Sequence, residues 1–109
     1  MQNAAKVNTR RARVSAYLDE IGLGADREYH ALLPAILLAA EHPELPFPEI
    51  CKAAAPERSV RCTAMMMQHA IGVAWVNADD RNPVLAEQCP SAEQFIQQLA
   101  LWLCSTEQK

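Results

Sequence analysis

No two cysteines in this 109-residue chain are spaced C-x-x-C, and no histidine stands at zinc-ligand spacing from one, so the usual sequence signature of a zinc site is missing. Cys51, Cys62, Cys89 and Cys104 are therefore expected to behave as small hydrophobes, and neither a metal nor any other cofactor is expected. No stretch approaches the ~18 apolar residues of a membrane span, and no secretory apolar region follows Met1. The expectation is a reduced, cytoplasmic protein without a membrane partner. Period-two alternation and internal repeats are also lacking, which argues against strands and repeat arrays. Catalytic pairings are no better represented. Cys62 and His69 lie two helical turns apart, roughly 10 Å along one helix, too far for a thiolate–imidazole pair. His30 and His42 have no carboxylate at a telling spacing. No enzyme, and no small-molecule substrate, is expected.

Acid is absent from residues 1–13, which carry Lys6, Arg10, Arg11 and Arg13, and from residues 58–69, which carry Arg58 and Arg61. Residues 14–57 hold eight acids against Arg27 and Lys52, and the formal net charge is -3. An acidic body with two small basic patches lacks the broad footprint of a strong nucleic-acid binder. A weak or dimeric binder is still compatible with it.

What the chain does have is apolar periodicity. Half of its residues are hydrophobic, enough for one core at a length that suits one domain. Residues 1–8 are expected to be disordered or frayed, 9–105 to form a single helical domain, and 106–109 a tail. Val14, Tyr17, Leu18 and Ile21 repeat at helical spacing from about Thr9, and Gly22 and Gly24 end that helix. Tyr29, Leu32, Leu33, Ile36, Leu37 and Ala40 give a second helix from about Asp26, a candidate cap, to Glu41. Pro34 lies inside it and is expected to kink it without ending it.

The segment "HPELPFPEICKAAAP" predicts a linker and a short helix with Pro48 at its first position and Phe47, Ile50, Cys51 and Ala54 inward. Ser59 can cap the next helix. "VNADDRNP" is turn chemistry, "PVLAEQCP" has room for a short helical turn, and Ser91 with Gln94 forms a capping box opening a last helix to about Cys104. The predicted fold is all-α, a compact bundle of about five or six helices containing a helix-turn-helix.

The helix "VRCTAMMMQHAIGVAW" (Val60 to Trp75) divides by angle at about 100° per residue. Val60, Thr63, Ala64, Met67, Ala70, Ile71, Ala74 and Trp75 form a continuous apolar face and are assigned to the core, Met67, Ile71 and Ala74 packing near Leu33, Leu37, Ile50 and Leu99. Arg61, Cys62, Met65, Gln68 and His69 face outward. Met66 and Val73 lie on the boundary, compatible with either side.

On these residues the chain resembles the C-terminal effector domain of the stage-zero sporulation response regulator. "IGLGA" (Ile21 to Ala25) is similar to that family's I-G-V-P-A turn, "QHAIGVAW" (Gln68 to Trp75) to R-H-A-I-E-V-A-W at the end of its recognition helix, and "SAEQFIQQLALWL" to its last helix. The resemblance spans roughly residues 14–104, with a shorter loop after Trp75. It implies a helix-turn-helix that enters the DNA major groove and binds tandem sites as a dimer. The family's recognition helix reads R-V-E-R-A-I-R-H where this chain has Cys62, Thr63, Ala64, Met65, Met66, Met67, Gln68 and His69. Of the polar contacts only His69 is kept, and neither Cys nor Met replaces an arginine that discriminates guanine by about 1–3 kcal/mol.

Two functions are therefore expected to compete. One is a transcription regulator with weak or altered DNA specificity, using Arg58, Arg61, Gln68, His69 and the arginine-rich start. The other is a protein-interaction or homodimerisation module, in which Cys62, Met65 and Met66 meet a second copy or another regulator chain.

Overall fold

The structure, a computed structural model, describes residues 2–24, 26–77 and 89–107. Among them lie five α-helices: α1 (Gln2–Glu20), α2 (Tyr29–Glu41), α3 (Phe47–Ala54), α4 (Val60–Val76) and α5 (Ala92–Glu107). The all-α expectation holds. The turn expected within residues 83–88 lies outside the described residues.

α1 begins at Gln2, ahead of the expected start near Thr9. Ala4, Ala5 and Lys6 are strong helix formers, and they extend the helix without an apolar stripe to announce it. Its other end is a Schellman motif. Leu23 N–H donates to Leu18 C=O at 2.8 Å and Gly22 N–H to Asp19 C=O at 3.1 Å, with Gly22 at φ 90°. Leu23 and Leu18 are both buried, the apolar contact that accompanies this cap. Gly24 is needed for a different reason: a Cβ there would collide with the Asp19 carboxylate.

α2 starts three residues later than predicted. The Asp26 carboxylate accepts the Glu28 backbone N–H at 2.9 Å, and i→i+3 bonds carry the turn into Tyr29, so Asp26 caps the preceding turn and not the helix itself. α2 then runs unbroken through Pro34 to Glu41. Seven of its residues are buried and it packs against all four other helices, which offsets the backbone bond that proline removes.

α3 takes Phe47 first and Pro48 second, one place later than expected, with Glu49 in its first turn and Lys52 in its last complementing the helix dipole. Ile50 and Cys51 are buried, and burial pushes the Cys51 thiol pKa up. Residues 55–59 turn the chain into α4, where the Ser59 hydroxyl accepts the Cys62 N–H at 3.1 Å as an N-cap. α3, this turn and α4 make the expected helix-turn-helix. α5 opens with the predicted capping box: Gln94 N–H donates to Ser91 Oγ, and Ser91 N–H to Gln94 Oε1, both at 3.1 Å. Phe95, Ile96, Leu99 and Leu103 then close the core against α2.

Candidate functional site: the outward face of α4

The angular division of α4 holds. Thr63, Met67, Ala70, Ile71 and Ala74 are buried, and Met67 and Ile71 have no exposed surface at all. On the opposite side Met65 is 63% exposed, Met66 39%, Val73 46% and Val76 74%. Met66, compatible with either side by angle, is thus outside, as is Val73. Arg61 and His69 are exposed on the same side, and Cys62 and Gly72 are half-buried.

The four residues put forward for DNA contact do not stay together. Arg58 lies in the turn before α4 and faces inward, its Nη1 donating to Glu28 Oε1 at 2.9 Å and Nη2 to Oε2 at 3.2 Å. The Glu28 side chain is 5% exposed and that of Arg58 21%. This hydrogen-bonded carboxylate raises the Arg58 pKa above its ordinary value. Arg58 Nη1 also approaches Met66 Sδ at 2.9 Å, while its buried Nε has no partner among the described residues. Arg58 therefore ties the helix-turn-helix turn to the start of α2, and its charge is already matched.

Gln68 is occupied as well. Its Nε2 donates to Pro90 C=O at 3.0 Å, and its Oε1 accepts the Ala92 N–H at 2.7 Å. Because Ala92 is the first residue of α5, Gln68 satisfies a backbone donor that a helix start leaves open. The oxygen and the nitrogen of the Gln68 side-chain amide are thus both engaged at the α4–α5 junction.

Only Arg61 and His69 of the four remain free to meet a phosphate. The basic start offers less than its sequence suggests, since Arg10 approaches Cys104 Sγ at 3.9 Å and the Arg13 guanidinium lies 4.8 Å from the Trp102 ring centroid. This cation–π contact with Trp102 of α5 holds Arg13 on the body of the domain. Arg11 is exposed.

Two residues of this site escaped sequence reasoning. Val76 continues the outward stripe one residue beyond Trp75, where the helix was expected to stop; the spacing 62, 69, 76 was the available signal. Glu28 carried no signal, because its partner is 30 residues away in sequence. Among the described residues no three His, Cys, Asp or Glu side chains cluster as metal ligands, and no helix is long and apolar enough to cross a membrane.

The outward face of α4 is thus an apolar stripe with one fixed cation, carried on the second helix of a helix-turn-helix. The chain matches no protein-family model, no curated protein and no solved structure.

Proposed function

We propose that this chain is a regulator-type helix-turn-helix module whose α4 meets another protein chain in place of base edges. The observation that carries this is the location of exposed apolar bulk. Of the five large hydrophobic side chains exposed among the described residues, four (Met65, Met66, Val73 and Val76) stand on the outer stripe of α4. Scattered singly they would be unexceptional; aligned on one helix face they suit an interface. Methionine is adapted to such contacts by its flexible, polarisable side chain.

The resemblance to the sporulation-regulator effector domain supports a regulatory setting, and the four unpaired thiols agree with a reducing compartment, the cytoplasm. On this reading the chain carries no catalysis. DNA contact remains as a weak, sequence-tolerant property of exposed Arg61, His69 and Arg11.

The test is a salt series of binding to random duplex DNA and to tandem sites of the sporulation type. With so few free cations, log affinity should fall with log salt at a slope no steeper than about -2 per chain. One site should not be preferred over random duplex by ~10³. A slope near -6, or a preference of that size, would mean that α4 reads DNA after all.

A further inference from the structure

We infer that the occupant of the α4 face is a second copy of this chain, the two α4 helices crossing antiparallel about a two-fold axis at His69. This rests on reading α4 as a protein-contact helix and adds the identity and geometry of the partner.

The first ground is Gly72. It sits in the interior of α4 without a positive φ, and a Cβ built there would meet nothing within 4 Å. A glycine in that position weakens the helix relative to alanine, and nothing inside the described chain requires it. What a missing side chain does permit is close approach of a neighbouring helix. The recess at Gly72, bordered by His69, Val73 and Val76, opens outward.

The second ground is the order of sizes along the stripe. The bulky residues, Met65 and Met66, precede His69, and the recess follows it. In an antiparallel crossing about this axis, each residue keeps its flank of the stripe and meets residues of similar distance on the other side of His69. Met65, which shares a flank of the stripe with Gly72, then enters the Gly72 recess of the second copy, Met66 lies against Val73, and Cys62 stands level with Val76. A parallel crossing would set methionine against methionine and recess against recess. The face is its own complement in one direction only, as an isologous interface requires.

Charge selects the same direction. Arg61 is the only fixed charge on the outer face between Val60 and Val76. Antiparallel helices hold the two Arg61 residues about 24 Å apart along the axis, well beyond the ~8 Å screening length, whereas parallel helices would place them side by side.

Size sets the strength. A helix of this length, about 25 Å long and 10 Å across, covers on the order of 400 Å² per copy, half the ~800 Å² of a standard interface. An interface of half the standard size suits a weak, dynamic dimer, and a dissociation constant on the order of 10⁻⁴ M is the range in which the association is sought.

Sedimentation equilibrium of the full chain, with Cys89→Ser to remove an exposed thiol, should show a monomer–dimer equilibrium in that range. Met65→Glu should weaken it by roughly 30-fold or more, since a carboxylate would be buried against an apolar partner, with the melting temperature unchanged. Gly72→Ala should raise the melting temperature and weaken the dimer about 10-fold, opposite signs that an ordinary structural residue would not give. With Val76→Cys and a mild thiol oxidant, the mixed disulfide between Cys62 of one copy and residue 76 of the other should predominate; within one chain those positions are ~21 Å apart. A chain that stays monomeric at ~1 mM, about ten times that constant, overturns the inference and leaves the DNA salt series to judge the protein-contact reading separately. Dimers indifferent to Met65→Glu and Gly72→Ala, or joined mainly through Cys62 to Cys62, overturn it as well.

Discussion

Replacing Arg58 by alanine should destabilise the domain by about 3 kcal/mol, although a free basic residue beside a recognition helix would be dispensable for folding. Glu28 is the reason. Its carboxylate is 5% exposed and both oxygens are held by the Arg58 guanidinium, at 2.9 and 3.2 Å. Truncating Arg58 leaves a buried negative charge without its partner, a change that costs about 3–5 kcal/mol when the site is dry. The lower end applies because Arg58 is one-fifth exposed and a surface cavity of about 230 Å³ beside the pair admits water. Urea unfolding followed by circular dichroism measures the loss directly from the shift in midpoint at constant slope. Combining Glu28→Gln with Arg58→Met removes both charges at similar volume and should recover most of the lost stability. Arg61→Ala, at an exposed position on the next helix, should stay within about 0.5 kcal/mol of the parent. If Arg58→Ala unfolds at the parent midpoint, the ion pair is not formed in solution and Arg58 returns to the set of cations available to DNA.

Gln68→Ala should cost about 2 kcal/mol by the same urea assay, because it leaves the Pro90 carbonyl and the first N–H of α5 without partners. A loss below about 0.5 kcal/mol would mean that Gln68 is free for an external ligand. Pro34→Ala should stabilise the domain by about 1–3 kcal/mol in thermal unfolding, since α2 already continues through this position and regains one backbone bond. A destabilised variant would show that the proline ring itself packs usefully.

Features governed by local chemistry were legible in the residues. The Ser91–Gln94 box, the Ser59 cap and the Gly22 helix end each depend on a few adjacent side chains, and each stands where the sequence put it. The inward and outward faces of α4 followed from helical spacing alone. Local chemistry could not assign Arg58 and Gln68. Arg58 meets a carboxylate 30 positions earlier and Gln68 meets backbone 22 and 24 positions later; no periodicity encodes such pairings. Exposure on a helical wheel says that a polar side chain can reach solvent, not whether a neighbouring element claims it first. The early start of α1 was hidden for a related reason: residues 2–8 are helical by propensity, without the apolar stripe on which the boundary was drawn.

The claim that the outward face of α4 contacts protein is tested most directly by mapping backbone amide shifts of the full chain as it is diluted from ~1 mM to ~10 µM, a range that brackets the expected dissociation constant. The changes should be confined to the outer stripe, largest at Met65, Met66, His69, Gly72 and Val73, while α1 and the Leu101 side of α5 stay fixed. Shifts centred on Leu101 or on Arg10 to Arg13, or a silent dilution series in which short duplex DNA at physiological salt moves Arg61 and His69, would contradict it.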